Sequence, residues 1–185
     1  YDAADADDFG GTYTITSGVG TQNFSDNNNS GSYVISELNN PALDVHWGME
    51  VTYDFYLDVF GRDSYDDNGS AILQFINPPS MQLEKGGNPN NAGAYPDPYN
   101  LMVYGLGDND RMGPVVNLDV EGHEFTHMVV NKNGNGGLVY QGESGALNES
   151  FADIMGTCVE FYSGYNPDWQ IGEGLMLKEP FMRNV

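Results

Sequence analysis

Two helical segments that carry histidine and carboxylate side chains constrain the fold of this 185-residue chain more than any other feature. The first segment, from Asn117 to about Asn131, is predicted as a helix that ends before the glycine-rich run 133–137. It contains the motif H-E-F-T-H at residues 123–127. Since a helix turns by about 400° over four residues, both imidazoles lie on one face, within reach of a single ion.

The second segment, from about Gly145 to Tyr162, is predicted as a helix with two different faces. One face is acidic and carries Glu149, Asp153, Gly156 and Glu160. The opposite face is apolar and consists of Leu147, Phe151, Ile154, Cys158 and Tyr162. The carboxylates of the acidic face are therefore candidates for binding the same ion as the histidines.

Together the two segments offer the ligands of a hydrolytic zinc site, which takes three protein ligands and keeps one position for water. His123 and His127 supply two ligands, and Glu149, twenty-two residues beyond His127, is the candidate third. The loop between them is long enough for the helices to face each other across the ion. Asp153 can accept the free imidazole N–H of a ligand histidine, which fixes the tautomer. Glu124 projects beside the same ion.

The acidic composition restricts the partners of the chain. Twenty-seven Asp and Glu residues against six Lys and Arg give a formal charge of -21, which repels nucleic acid phosphates and anionic membranes. Two compatible interpretations follow: a solvated surface that keeps a secreted protein soluble, and carboxylates gathered to hold calcium. Cys158 is the only cysteine, so an intrachain disulfide is excluded. Neither nucleic acid nor a membrane is an expected partner.

The rest of the sequence predicts one further helix and a few short strands. Residues 41–60 have apolar side chains at helical spacing, with proline at the start and glycine directly beyond the end. Residues 71–76 and 101–105 are predicted as strands. The stretch 77–100 has no periodicity and is predicted as a long functional loop. Residues 1–36 are predicted as irregular strand and loop.

The two motifs resemble the signature of the thermolysin family, an H-E-x-T-H helix followed by G-A-x-N-E-x-x-x-D on the next helix. Every fixed position of both is present. The similarity covers most of the chain from about residue 41 onward. It includes the segments DVHW at 44–47, VTYD at 51–54, NNA at 90–92, MVYG at 102–105, YQGESG at 140–145 and NPDWQIGE at 166–173.

The resemblance implies roles for individual residues. One catalytic zinc would be held by His123, His127 and Glu149, with Glu124 as general base and Asp153 as the partner of His123. Tyr140 matches a tyrosine that helps to stabilise the oxyanion. Asn91 and Ala92 match the segment that binds the substrate backbone. One or two structural calcium ions would be held by Asp119, Glu160, Asp168 and Glu173, where Gln170 replaces an acidic residue of thermolysin itself.

The resemblance also implies an α+β fold of the thermolysin-like zincin type. A strand- and loop-rich part, residues 1–115 with the helix 41–60, would pack on the zinc-binding helices and calcium segment of residues 116–185. The family's C-terminal helical lobe supplies a second oxyanion-stabilising histidine and a substrate-binding arginine. We expect this lobe to lie outside the sequence. The only other histidine, His46, lies upstream in a different element, so no residue here can be assigned the histidine's role, and we expect the isolated chain to hydrolyse peptides poorly. His46, Trp47 and Cys158 are assigned to packing.

The expected function is that of a secreted, extracellular zinc endopeptidase acting on internal peptide bonds of peptides or proteins. By resemblance it prefers a bulky apolar residue after the scissile bond, with Val120 in the pocket wall. An aminopeptidase shares the motif, but we find no amine-binding motif. A second alternative is a catalytically incompetent fragment or a calcium-stabilised module without enzymatic activity. Such modules usually lack the glutamate base or a ligand, and Glu124 and all three ligands are present.

Overall fold

A computed structural model of the chain describes residues 2–5, 14–15, 24–25, 41–132 and 136–185. In the N-terminal segment these are three short strands, β1 (Asp2–Asp5), β2 (Thr14–Ile15) and β3 (Phe24–Ser25), of which β2 and β3 pair in antiparallel fashion. The remainder of the irregular segment predicted for residues 1–36 lies outside the described residues.

A four-stranded sheet borders the site, in the order β1-β4-β6-β5. Strand β4 (Leu73–Ile76) pairs in parallel with β1 and with β6 (Leu101–Tyr104), and β5 (Ala92–Tyr95) pairs antiparallel with β6. Strands β4 and β6 agree with the prediction, although β4 begins two residues later. Strand β5 lies within the stretch predicted as a loop, which also contains 3₁₀ turns at Pro79–Met81 and Leu83–Lys85. That part of the loop prediction is wrong.

Three long helices pack on one another, and two of them also pack against this sheet. They are α1 (Pro41–Phe60), α2 (Leu118–Lys132) and α3 (Gly142–Ser163), close to the three predicted helices. Helix α1 contacts α2 through Tyr56, whose hydroxyl lies 2.8 Å from the Thr126 hydroxyl and whose ring centroid lies 5.1 Å from that of Phe125. The fold is therefore α+β, as predicted. None of the helices described is long and apolar enough to cross a membrane.

Two glycines allow α2 and α3 to approach closely. A Cβ atom on Gly122 would lie 2.9 Å from the Cα of Gly156, and one on Gly156 would lie 2.3 Å from the Asp119 carbonyl oxygen. Separations below 3.0 Å are not tolerated, so both positions require glycine. This contact fixes the acidic face of α3 against the histidine face of α2.

The apolar face predicted for α3 does not form the core. Leu147, Phe151 and Ile154 are 55%, 48% and 40% exposed, and Cys158 is only half-buried. The buried residues of α3 are mostly small or polar, with Met155 and Val159 as the apolar exceptions; the others are Gly145, Asn148, Ala152, Gly156, Thr157 and Glu160. Periodicity thus predicted where the helix lies but not which face is buried. Close packing against α2 buries the face with glycine and alanine. We call the exposed residues Leu147, Phe151 and Ile154 the α3 stripe.

A small antiparallel pair closes the chain beyond α3. Strand β7 (Gln170–Ile171) pairs with β8 (Arg183–Asn184), with Ile171 opposite Arg183. This pairing returns the end of the described chain to the helices that carry the histidines.

Candidate metal centre

Helices α2 and α3 bring the three predicted zinc ligands together. The Nε2 atoms of His123 and His127 lie 3.0 Å apart. The Glu149 carboxylate lies 3.3 Å from His123 Nε2 and 3.5 Å from His127 Nε2. Ligands of a tetrahedral zinc at 2.0–2.1 Å are separated by about 3.3 Å. The donor set and its spacing therefore fit a zinc ion with three protein ligands.

Both imidazoles are oriented by acceptors behind them. His123 Nδ1 lies 2.7 Å from Asp153 Oδ1, and His127 Nδ1 lies 2.8 Å from Asn148 Oδ1. Since these oxygens accept, each ring donates from Nδ1 and turns its Nε2 atom towards the shared centre. The partnership of His123 with Asp153 was predicted. Asn148 was not singled out, although it occupies a fixed position of the second motif.

The pKa values of the three candidate ligands are shifted by burial and by one another. Burial lowers the pKa of His123, but its hydrogen bonds to Asp153 and Glu149 outweigh burial and raise it to about 9. Burial and the neighbouring His123 lower the pKa of His127. The hydrogen bond from His123 lowers the pKa of Glu149 to about 2, against the effect of burial. In the metal-free chain His123 therefore carries a proton that a metal ion has to displace.

Arg183 also reaches the site, which sequence reasoning did not foresee. Its Nε atom donates to Asp153 Oδ2 at 2.7 Å, and its Nη2 atom contacts Asp153 Oδ1. Although burial opposes it, the hydrogen bonds from Arg183 and His123 hold the pKa of Asp153 well below its usual range. Arg183 lies beside the candidate ligands because the β7–β8 pairing returns it to α3.

Glu124 and Tyr140 both lie beside the cluster. Glu124 is buried, and this burial raises its pKa to about 7, so that its carboxylate can accept a proton near neutral pH. Tyr140 is 68% exposed, and its hydroxyl donates to Glu149 Oε1. This hydrogen bond raises the pKa of Tyr140 to about 12. The catalytic roles predicted for both residues stay predictions.

A cleft of about 710 Å³ opens in front of the histidines. Its lining includes the edge strand β5 with Asn91 before it, and also Tyr140 and Arg183. Its apolar lining includes Met112, Val115, Val120, Ile171 and Met182. The cleft therefore combines the edge strand of the described sheet, an apolar recess and the candidate metal ligands. Asn91, Ala92 and Val120 are all part of its lining.

A second group of carboxylates lies at the other end of the α2–α3 contact. Carboxylate oxygens of Asp119, Glu160 and Glu173 lie within 4.8 Å of one another. Burial raises the pKa of Glu160 to about 8 and that of Glu173 to about 7, and neighbouring carboxylates add to both shifts. Asp168 hydrogen-bonds Glu173 at the rim of this group. Buried oxygens of Glu160 and Glu173 that lack hydrogen-bond partners fit a hard cation such as calcium.

The described fold and the His-His-Glu cluster define the zincin class of domain, in which the H-E-x-x-H helix carries two ligands of one metal ion. The sequence model of the thermolysin metallopeptidase catalytic domain matches residues 1–131, and that of the thermolysin metallopeptidase alpha-helical domain matches residues 136–185. The chain belongs to the thermolysin metallopeptidase family. The predicted resemblance to this family is confirmed.

Several relatives share this similarity. The chain is 44% identical over 138 residues to thermolysin from Alicyclobacillus acidocaldarius subsp. acidocaldarius, an alignment that covers 72% of this chain and 22% of that protein. It is 36% identical over 145 residues to neutral protease NprE from Bacillus pumilus, covering 78% and 43% respectively. The chain therefore spans less than half the length of these curated relatives.

A solved structure shows the same fold. The precursor of protealysin, a metalloproteinase from Serratia proteamaculans, superposes with a TM-score of 0.70 at 26% sequence identity. The superposition covers 99% of this chain and 52% of that chain. The predicted thermolysin-like fold class is thereby confirmed.

Proposed function

We propose that this chain is the zinc-binding portion of a secreted, extracellular endopeptidase that hydrolyses internal peptide bonds. The observation that carries the proposal is the convergence of His123, His127 and Glu149 at the floor of a cleft that also contains Glu124. Zinc held by these three residues supplies Lewis acidity for the scissile carbonyl and for an attacking water. The remaining roles fall to side chains of the chain itself.

Glu124 acts as the general base. Its carboxylate takes a proton from the attacking water and returns it to the nitrogen of the leaving amine. A pKa of about 7 suits both transfers, because the group is ionised near neutral pH and still binds a proton readily. The Tyr140 hydroxyl, which donates to Glu149 in the structure, would donate to the developing oxyanion.

The substrate lies extended along β5. Among the strands that the structure describes, this one pairs only with β6, so its other edge offers backbone groups to a peptide in the cleft. Asn91 and Ala92 would bind the substrate backbone at the start of this strand. Val120 and the other apolar residues of the recess would favour a bulky apolar side chain after the scissile bond. Arg183, held by Asp153, presents its guanidinium to the same recess.

The carboxylate group of Asp119, Glu160, Asp168 and Glu173 would hold one or two calcium ions. Bound calcium would neutralise buried charge beside α2 and α3 and so stabilise the helices that carry the zinc ligands. The α3 stripe would be covered by the continuation of the helical lobe, whose family model begins at residue 136. A non-enzymatic module is not favoured, because Glu124 and all three candidate ligands are present in the cleft.

Two substitutions test the proposal. Glu124→Ala should retain about one zinc per chain and lose peptide cleavage, because it removes the base but no ligand. Glu149→Ala should lose zinc and cleavage together. Glu143→Ala, an exposed glutamate in the first turn of α3, is the matched control and should change neither. Cleavage retained in Glu124→Ala would refute the assigned base, and zinc retained in Glu149→Ala would refute the ligand set.

A further inference from the structure

Asn90 and Asp108 form a reciprocal pair at the end of the cleft. The Asn90 side-chain amide donates to Asp108 Oδ2 at 2.6 Å, and the Asp108 backbone N–H donates to Asn90 Oδ1 at 2.8 Å. Two hydrogen bonds between the same residues fix both their separation and their relative orientation. The pair therefore joins the segment before β5 to the loop that follows β6.

Asp108 also organises the loop in which it lies. Its Oδ1 atom accepts backbone N–H groups from Asp110 at 2.9 Å, Arg111 at 2.7 Å and Met112 at 3.3 Å. These backbone hydrogen bonds, with the one from Asn90, keep the pKa of Asp108 well below its usual range. Its carboxylate is thus ionised at physiological pH, so all of these hydrogen bonds are charge-assisted.

The two sides of this pair are walls of the cleft. Asn90 precedes Asn91, whose carbonyl accepts from the Gly105 N–H at 2.9 Å, so Asn91 is held from two directions. On the other side, the turn capped by Asp108 ends at Met112, which is buried and lines the apolar recess. The pair therefore sets the distance between the start of the substrate strand and the recess.

We propose that Asn90 and Asp108 are positioning residues of the substrate cleft, which hold Asn91 and Met112 in the arrangement that binds an extended peptide. The proposal rests on the proposed function, because it assumes that a peptide occupies the cleft. It assigns the pair no part in metal binding, since neither residue belongs to the His-His-Glu cluster.

Peptide affinity in a Glu124→Ala background tests this role without turnover. The dissociation constant of a fluorescent peptide with a central bulky apolar residue would be measured with zinc present. Asn90→Asp places two carboxylates together, and Asp108→Asn places two amide N–H₂ groups together. Each should weaken binding on the order of tenfold, since small displacements of a site carry costs of this size or larger. Zinc content should stay unchanged in both.

The double variant Asn90→Asp with Asp108→Asn exchanges the two groups and restores the amide–carboxylate match. It should recover affinity to within about threefold of the background, a non-additivity expected only for directly coupled residues. Hydrogen exchange of the amides in residues 91–95 should speed up in each single variant and slow again in the double variant. These amides report the position of the strand even without peptide.

Asp66→Asn is the matched control, because Asp66 caps a different turn in a similar way. Its Oδ1 atom accepts from the N–H groups of Asn68 and Ser70, and Oδ2 accepts from the Ser70 hydroxyl. This variant should lower stability but leave peptide affinity unchanged. Unchanged affinity in the single variants, no recovery in the double variant, or equal weakening by Asp66→Asn would each overturn the proposal. Failure of the proposed function would appear separately, as absence of cleavage with Glu124 intact.

Discussion

Calcium should stabilise the chain more strongly at about pH 8 than at about pH 5. The reason is the buried carboxylate group of Asp119, Glu160 and Glu173, whose pKa values are all raised, chiefly by burial. For Glu160 the pKa rises from its ordinary value of 4.5 to about 8 in the fold. The folded state thus holds this proton more tightly than the unfolded state does. The stabilisation that the proton provides is complete below about pH 4.5 and is lost as the pH rises towards 8.

The size of the effect follows from the same shift. At about 1.4 kcal/mol per pKa unit, the Glu160 shift corresponds to a loss on the order of 5 kcal/mol across this pH range. Calcium at a hundred times its dissociation constant contributes about 2.7 kcal/mol of stability. For a domain of this size, that is a rise of about 5–10 °C in Tm. At about pH 5 the same calcium has to displace the Glu160 proton, so its effect should be smaller.

Thermal unfolding followed by circular dichroism measures this directly, with zinc held constant and calcium present or removed by chelating resin. Glu160→Gln provides the internal control. It removes one buried charge, so the calcium-free protein should unfold at a higher temperature at about pH 8, yet calcium should no longer stabilise it. Equal calcium effects at both pH values, or a calcium response unchanged in Glu160→Gln, would refute the reasoning.

Three further predictions concern the metal centre and its support. Asp153→Asn should weaken zinc binding by about 10–100-fold, because His123 loses its charged acceptor; competition with a chromophoric chelator measures this, and unchanged affinity would contradict it. The value of kcat/KM should fall as the pH drops through a value at or below about 7, because Glu124 must be ionised to accept a proton; a flat profile down to pH 4.5 would refute its role as base. Gly156→Ala should cost more than about 2 kcal/mol in urea unfolding through overlap with the backbone of α2, whereas Gly113→Ala, with its nearest atom at 3.9 Å, should cost little.

The convergence of the candidate metal ligands could be predicted from sequence because their geometry is local. His123 and His127 share a face of α2 however the helices pack on one another. The loop from α2 to α3 is short enough to keep Glu149 near them. The glycine-rich run 133–137, and the proline and glycine at the two ends of the helix 41–60, helped to locate all three helices to within a few residues. The start of α3 at Gly142 was missed by three residues because its φ of +57° is a property of the turn and not of the helical pattern.

The features that were missed depend on contacts between distant residues. Strand β5 has the sequence A-G-A-Y, without β-branched residues, and is extended because it pairs with β6. Arg183 reaches Asp153, thirty residues earlier in the chain, only through the β7–β8 pairing. The exposure of Leu147 and its neighbours follows from the glycine contact between α2 and α3, which periodicity alone does not reveal. The predicted division at residues 115 and 116 stays a prediction.

Zinc titration of the metal-free protein, followed by binding stoichiometry and peptide cleavage in the same sample, tests the central claim most directly. We predict that cleavage rises in proportion to bound zinc, reaches a plateau at about one equivalent and stays absent in Glu149→Ala at every zinc concentration. The protons displaced from His123 should be released in the same titration, because its pKa of about 9 keeps it protonated in the metal-free chain. Cleavage that does not depend on zinc, or zinc binding that survives Glu149→Ala unchanged, would contradict the assignment of this cleft as a zinc peptidase site.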